Sequence, residues 1–411
     1  MRAVASRSVD FLLIGGGLAA GSCARTLREE GAEGSILLVG REPDPPYDRP
    51  PLSKEYLAGK QGREDGYVRP PGWWEENHVE LLTRTSVMKL DAAARTATLS
   101  NRDEVEFGKA VLATGSNVRR IQVDGCDLEG INYLRSYANS DAIRAEAEKS
   151  ERTVLIGGSF IACEVAATLT WLGRNCSLVM QEEVTFERQF GPDVGRYFQD
   201  VLEEHGIDVN GSDDLDRYEG SDGRVAKVVT KTGLEIECGS VVVGAGVVPD
   251  TTLAKAAGLE LGERGGVQCS DRLETSVPGI FAAGDIAEWD SPLHGGPTRI
   301  EHWDVAFQHG KTAARNMMGQ DRPHEEIPYF WSDLADWTGL EYVGVGSGDR
   351  VIRGSIDDGS FTAFSLDGGR VVAAVTVGRS DDLDHARRMI TARATPDPAA
   401  LTDEGTDLAS L

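Results

Sequence analysis

Hydrophobic positions fall in short blocks along the chain, and the blocks come in a repeated order. The run VDFLLIG at 9–15 leads into the glycine stretch LIGGGLAAG at 13–21, then into a helix-like segment ending near Glu30; SILLVG at 35–40 is a second apolar run. Unbroken apolar runs bounded by glycine read as buried strands of a parallel sheet, so this region spells strand, glycine turn, helix, strand. The order then returns. LIGGGLAAGSCARTL at 13–27 is echoed by LIGGSFIACEVAATL at 155–169, with Leu, Ile, Gly, Gly, Ala, Ala, Thr and Leu recurring at a constant offset of 142. Two copies of one strand–turn–helix predict two βαβ units.

Between and after the copies the texture changes. Proline density in PDPPYDRPPLSKEYLAG, 43–59, forbids regular helix or strand and makes a stiff loop that would hold Arg49, Ser53 and Lys54 in fixed positions. Residues 79–112 alternate apolar and polar in short pieces, which predicts a small antiparallel sheet. KAVLATGS, 109–116, reads as a buried strand ending at Ala113, Thr114 and Gly115; SVVVGAGVVPD, 240–250, ends in Gly244 and Gly246; GIFAAG, 279–284, ends in Gly284 and Asp285. Turns at the carboxyl edge of a parallel sheet are where ligands bind. A helix from about Val305 brings Trp303 behind Asp285. From 326 to 400, short alternating strands and a final helix form a small α+β domain, and the acidic tail beyond it reads as loose. The expected architecture is α/β: two Rossmann-like dinucleotide-binding domains plus a C-terminal α+β domain. Residues 1–117 and 248–325 make the first, 118–247 the second, 326–400 the third and 401–411 the tail.

No apolar run in the 411 residues approaches the 18 or so of a membrane span, and the start is too polar for a secretory signal, so a cytoplasmic protein is expected. A net charge of −25 disfavours nucleic acid and anionic membrane as partners. Six cysteines, Cys23, Cys126, Cys163, Cys176, Cys238 and Cys269, show no C-x-x-C spacing. That argues against a metal site and against a redox-active pair.

The spacing Gly15-x-Gly17-x-x-Ala20 lets backbone N–H groups approach a pyrophosphate at a helix N-terminus. About twenty residues on, where a carboxylate meets a ribose hydroxyl, stand Arg41 and Glu42. In the second copy the spacing is Gly157-x-Ser159-x-x-Ala162, and Met180 and Gln181 occupy the carboxylate position, followed by Glu182 and Glu183. No basic residue appears before Arg188. Carboxylates there would repel a 2′-phosphate, which favours NADH over NADPH.

GGGLAA, DRPPLSK, LATGS, LIGGSFIACEVA, TSVPGIFAAGDIA, IEHWDVAFQHG and FWSD occur in this order. The set resembles the FAD-dependent ferredoxin, rubredoxin and putidaredoxin reductases, a pyridine nucleotide-disulfide oxidoreductase fold, and near its C-terminus also apoptosis-inducing factor. The resemblance implies that Gly15, Gly17, Ala19 and Ala20 lie against the FAD pyrophosphate and that Arg41 or Glu42 lies near the adenosine ribose. It also implies FAD contacts from Arg49, Ala113, Thr114, Gly115, Arg135 and Gly284, with Val87 near the adenine. Asp285 would bind the ribityl or pyrophosphate groups, and Trp303 would border the flavin ring. Lys54 would stand beside the isoalloxazine, paired with Glu164. NAD would meet Gly157, Gly158, Ser159, Phe160 (as a gate on the nicotinamide pocket), Ile161, Glu164, Gln181, Glu182 and Gly246. Arg41, Ser159, Met180 and Leu334–Ala335 depart from the pattern, the last towards apoptosis-inducing factor.

The expected activity is electron transfer from NADH through FAD to a small iron–sulfur protein, a ferredoxin or rubredoxin, with an oxygenase as the consumer. The alternatives are a redox-switch flavoprotein that oxidises NADH slowly and a reductase of a small organic acceptor. Arg119, Arg120, Arg299, Arg353, Arg387 and Arg388 are candidates for a basic docking patch.

Overall fold

The computed structural model describes residues 6–411, which divide into two compact units. The first comprises the chain up to Arg49, Glu64–Asn117 and Val247–Pro328; the second comprises Pro50–Arg63, Val118–Gly246 and Tyr329–Leu411.

The first unit is built on one sheet. Its parallel strands run in the order Val79–Leu82, Ile36–Val39, Ser6–Ile14, Glu104–Leu112, with Ile280–Ala282 added alongside the end of the last. Thr96–Leu99 and Val87–Asp91 extend it antiparallel from the beginning of Glu104–Leu112. The long strand shows why. Its first half alternates exposed and buried residues, as one solvated face requires, whereas Ala110, Val111 and Leu112 are all buried, as a strand covered on both faces requires. The helix Leu18–Glu29 buries Ala19, Ala20, Cys23, Ala24 and Leu27. It packs closely on the helix Trp303–Met317: a side chain at Gly310 would lie 2.3 Å from the Ala19 carbonyl oxygen, and the Ser22 hydroxyl donates to the Phe307 carbonyl at 2.8 Å.

The second unit repeats this sheet. Asp208–Asn210, Cys176–Val179, Thr153–Ile156, Ser240–Val243 and Ile131–Tyr133 lie side by side, all parallel, in the same relative order. A three-stranded antiparallel sheet, Leu215–Ser221, Arg224–Thr230 and Glu235–Glu237, shares its core through Val154, Ile156, Val228 and Val241. The proline-rich segment 50–63 belongs to this unit. Ser140 and Thr168 hydroxyls donate to the Leu52 and Ser53 carbonyls, and the Tyr137 hydroxyl donates to the Arg63 carbonyl.

Tyr329–Leu334, Thr338–Gly344, Arg370–Val377, Ser360–Asp367 and Asp349–Ser355 form a five-stranded antiparallel sheet, followed by the helix Asp381–Ala392. Residues 401–411, expected to be loose, are packed against it. Leu401 and Leu408 are buried, and the buried Arg353 guanidinium donates to the carbonyls of Leu401, Asp403, Glu404 and Thr406 at 2.7–3.3 Å. Sequence acidity concealed this because the binding groups are main-chain carbonyls. Arg353→Met is expected to cost about 3 kcal/mol, since buried carbonyls lose a charged donor. A lower denaturation midpoint, with amide exchange faster across 401–411 than elsewhere, checks it.

Candidate dinucleotide sites and a buried lysine–glutamate pair

The two glycine loops have one backbone frame. Gly15 N–H donates to the Val39 carbonyl at 2.9 Å, and Gly157 N–H donates to the Val179 carbonyl at 2.8 Å. Their φ angles are +127° and +124°, in the region that favours glycine. A side chain at Gly15 would lie 2.1 Å from the Ala113 carbonyl oxygen; one at Gly157 would lie 2.6 Å from the Gly244 carbonyl oxygen. Each loop is thus pressed onto the strand that ends beside it, LATG in one case and VGAG in the other.

The first loop fits a diphosphate. A side chain at Gly17 would meet nothing within 4 Å, so the space before it is open. No side chain caps the helix that begins at Leu18, which leaves its first N–H groups for an anion. Gly284 approaches from the neighbouring strand end, where a side chain would come 3.3 Å from the Ala19 Cβ. Gly15, Gly17, Ala19, Ala20, Ala113 and Gly284 are therefore brought together.

Around this frame the polar groups are paired in a way the sequence did not indicate. Glu42 is not a bare ribose carboxylate: it accepts from the Tyr47 hydroxyl at 2.5 Å and from Arg49 at 2.7 Å. Burial opposes its charge, but Arg49 and Tyr47 outweigh that and hold it below the usual carboxylate range. Burial likewise opposes the charge of Arg49, yet Tyr47, Glu42 and Asp285 hold its guanidinium above the ordinary value. That places a firmly charged cation by the Gly284–Asp285 turn. Arg41 turns to Asp250 and Asn117; the Asp250 N–H in turn donates to the Gly115 carbonyl, and Thr114 donates to the Asp250 carbonyl. The Trp303 indole N–H donates to Asp48 at 2.6 Å, where burial holds the carboxyl above its usual range. Val87 is half-buried and pairs with Leu99. Arg135 lies in the second unit, its N–H on the Asn139 side chain.

Behind the turn, the His309 Nδ1 accepts from the Gly284 N–H at 3.3 Å, and the ring meets Trp289 and His324 edge-on. Burial holds His309 well below the usual imidazole range and lowers His324 to about 4; His302 is also lowered by burial to about 4, against the opposing charge of Asp285. These rings are neutral in the fold and titrate near 6.5 when unfolded. Between pH 4 and 6.5 the unfolded chain binds more protons, so stability rises with pH there and is lost as pH falls from 6.5 towards 4. Unfolding at pH 5 is expected to take up about one proton less in His324→Gln than in the parent, measured from calorimetric enthalpies in two buffers.

In the second loop Ser159 stands where the first has Gly17. Its hydroxyl does not cap the helix Phe160–Trp171 but accepts from the Gln189 side chain at 3.1 Å. Met180 is corrected as a ribose-facing position. It is buried and lies against Gly158, where a side chain would come 2.4 Å from its sulfur; the equivalent of Met180 in the first frame is Gly40, beside Gly16. Gln181 and Glu182 are the counterparts of Arg41 and Glu42. Ile161 is partly exposed, and Phe160 packs on Phe186, Phe190 and Phe330. Gly246 has φ +86° and open space before it.

Lys54 and Glu164 form a buried ion pair in the second unit, with Nζ to Oε1 at 2.8 Å. The carboxylate is further held by the Ser332 hydroxyl on Oε1 at 2.6 Å and the Ser53 hydroxyl on Oε2 at 2.5 Å. Ser332 belongs to FWSD, a motif noticed for its resemblance and not for its hydroxyl. Its neighbour Asp333 lines a cleft of about 290 Å³ with Tyr329, Trp331 and Glu341. Three of the six arginines offered as a basic patch are engaged within their own unit. Arg299 lies in the first unit, on Glu301 and the Asp285 carbonyl, while Arg353 is buried and Arg388 donates to the Leu408 and Leu411 carbonyls. Among the described residues no cluster of His, Cys, Asp and Glu could hold a metal, and no helix is long and apolar enough to cross a membrane.

Comparison with known proteins agrees with the fold. Residues 9–310 match the family model described as pyridine nucleotide-disulphide oxidoreductase, and 329–411 match that described as reductase C-terminal. The chain is 35% identical over 398 residues to the anthranilate 1,2-dioxygenase system ferredoxin–NAD(+) reductase component of Burkholderia cepacia, covering 96% of this chain and 97% of that one. It is 30% identical to human apoptosis-inducing factor 3, covering 90% of this chain and 61% of that one. Among solved structures, the ferredoxin reductase for the CYP199A2 system from Rhodopseudomonas palustris superposes with TM-score 0.93 at 31% identity, covering 98% and 99% of the two chains. The covalent putidaredoxin reductase–putidaredoxin complex gives 0.92 at 32%, covering 98% and 97%. The chain belongs to the pyridine nucleotide-disulphide oxidoreductase family, with a reductase C-terminal domain, and is an oxidoreductase that uses FAD and NAD(H).

Proposed function

We propose that this chain takes electrons from NADH and passes them, through FAD, to a small iron–sulfur protein serving an oxygenase. The observation that carries the reading is the pairing of two dinucleotide frames with cysteines that form no redox couple. All six are free and five are buried, and burial pushes Cys176 up to about 11 and Cys238 up to about 12. A disulfide relay needs an accessible thiolate, so the electrons leave by another route. The free thiols suit the reducing cytoplasm, where we place the protein. The relatives named for ferredoxin and putidaredoxin support the acceptor class.

FAD, held by the first glycine loop, would supply the conversion of a two-electron donor into two one-electron reductions, with NADH going to NAD+ and one proton released for each pair of acceptors reduced. The chain's residues bind and orient. The first loop and the helix at Leu18 receive the FAD diphosphate, with Arg49 as the nearby cation. Asp285 takes a ribityl or pyrophosphate group, and Trp303, held by Asp48, borders the ring. The second loop receives NAD, with Phe160 at the nicotinamide. Lys54, fixed by Glu164, supplies positive charge where negative charge builds on reduction.

The test is stopped-flow. Purified yellow protein should bleach on anaerobic mixing with NADH, then regain its colour rapidly when mixed with an oxidised [2Fe–2S] ferredoxin. A reduced protein that persists with iron–sulfur acceptors, yet reoxidises with quinones or only slowly with oxygen, would overturn the acceptor class and favour an organic acceptor or a redox switch.

A further inference from the structure

The strand Tyr329–Leu334 alternates along its length: Phe330, Ser332 and Leu334 are buried, while Tyr329, Trp331 and Asp333 are half-buried on the opposite face. The buried face meets the helix Phe160–Trp171. Phe330 lies edge-on to Phe160, with ring centroids 5.1 Å apart, and the Ser332 hydroxyl donates to Glu164 Oε1 at 2.6 Å. The two partners on the helix stand at i and i+4 and so share one face; the two on the strand stand at i and i+2 and share theirs. Register is fixed from behind, because Phe330 stacks on its cross-strand partner Tyr342 at 4.9 Å. One strand therefore touches both the ring placed at the nicotinamide and the carboxylate that fixes Lys54. All of these residues belong to the second unit.

We propose that Ser332 is a positioning residue for flavin reduction: its hydroxyl fixes the Glu164 carboxylate, and through it the Lys54 ammonium, where negative charge builds. The proposal rests on the reading that Lys54 stands beside the flavin. The hydrogen-bond inventory carries it. Glu164 is buried, and its oxygens take donors from two separate segments: Oε1 takes Ser332 and Lys54, and Oε2 takes Ser53. A glutamate side chain is flexible, and one hydroxyl on each oxygen sets the plane of its carboxylate. Lys54 is held more sparsely. Among the described residues its Nζ has one acceptor, Glu164 Oε1 at 2.8 Å. An ammonium on a long flexible stem with a single anchor lies where that anchor lies, and its remaining protons are open to a group in front of it. Ser53 is the chain neighbour of Lys54 and moves with it. Ser332 is the donor that ties the pair to a separate, sheet-bound frame. Without it Oε2 stays on Ser53 while Oε1 is free to swing, carrying Nζ with it. Misplacing a reacting group by about 1 Å costs up to about 100-fold in rate.

The experiment uses the FAD-loaded protein and two readouts. In anaerobic stopped-flow, Ser332→Ala should lower the limiting rate of flavin reduction by NADH about tenfold, with the half-saturating NADH concentration unchanged. In equilibrium with a reference dye held at a fixed ratio of its two forms, the ratio of reduced to oxidised flavin should fall about fivefold, because the positive charge is less well placed. Ser332→Thr keeps the hydroxyl and should restore both. A Ser332→Ala protein unchanged in rate and in dye equilibrium overturns the proposal. So does a loss confined to the half-saturating concentration, or a Ser332→Thr protein that behaves like Ser332→Ala. Lys54→Met separates the proposal from the reading beneath it. If Lys54→Met leaves the dye equilibrium unmoved, the placement of Lys54 beside the flavin fails. If Lys54→Met shifts it and Ser332→Ala does not, only the role of Ser332 falls.

Discussion

Lys54→Met is expected to slow anaerobic flavin reduction by NADH about 100-fold, the scale of losing one preorganised charge from a reacting centre. It should also lower stability by about 3–5 kcal/mol, because one partner of a buried pair is removed and the other stays. Glu164 would retain only the Ser53 and Ser332 hydroxyls, in a site where it is 4% exposed. The two losses are separable. The double variant Lys54→Met with Glu164→Leu removes both charges and should recover most of the stability, since apolar replacements of buried pairs are often neutral. It should not recover the rate. Equal reduction rates in parent and Lys54→Met would refute the electrostatic role; a double variant that regains rate together with stability would reduce Lys54 to a packing residue.

The second large effect separates binding from folding at the first glycine loop. Gly17→Val should leave a folded apoprotein whose FAD affinity is lower by at least about 100-fold. The added side chain has open space before it and an ordinary φ of −99°, so the protein tolerates it, whereas a diphosphate in that space would not. Gly15→Ala is the contrasting variant. Its methyl group would sit 2.1 Å from a main-chain oxygen at φ +127°, so the strand–turn–helix itself has to shift and the far-ultraviolet spectrum should change. Gly17→Val protein that purifies with a full complement of flavin would show that the diphosphate lies elsewhere.

Much of this was legible in the residues. The two glycine frames could be read because each is local: a run, a turn and a helix within about thirty residues, repeated at a fixed offset. The Lys54–Glu164 pair was reached through resemblance, since 110 positions of sequence separate its members and no periodicity joins them. What escaped was the second layer of partners. Ser332 on Glu164, Tyr47 and Arg49 on Glu42, and Arg188 on Glu182 are hydrogen bonds between residue types that occur everywhere on protein surfaces. Met180 was misjudged for a related reason: position beyond a strand does not tell whether a side chain faces ligand or the glycine beneath it. The tail was misjudged because its anchor, Arg353, is some fifty residues upstream and binds carbonyls that any sequence would present.

The coincidence of the two loop frames bears on redesign. Gly15 and Gly157 close onto their strands through the same backbone bonds, and only the residues hung on that scaffold differ: Gly17 against Ser159, Gly40 against Met180, Arg41 against Gln181. The backbone therefore works as a standard socket, and the side chains act as its interchangeable fittings. Coenzyme preference in such a protein is open to transplantation, one fitting at a time, with each half of the chain serving as the reference for its twin.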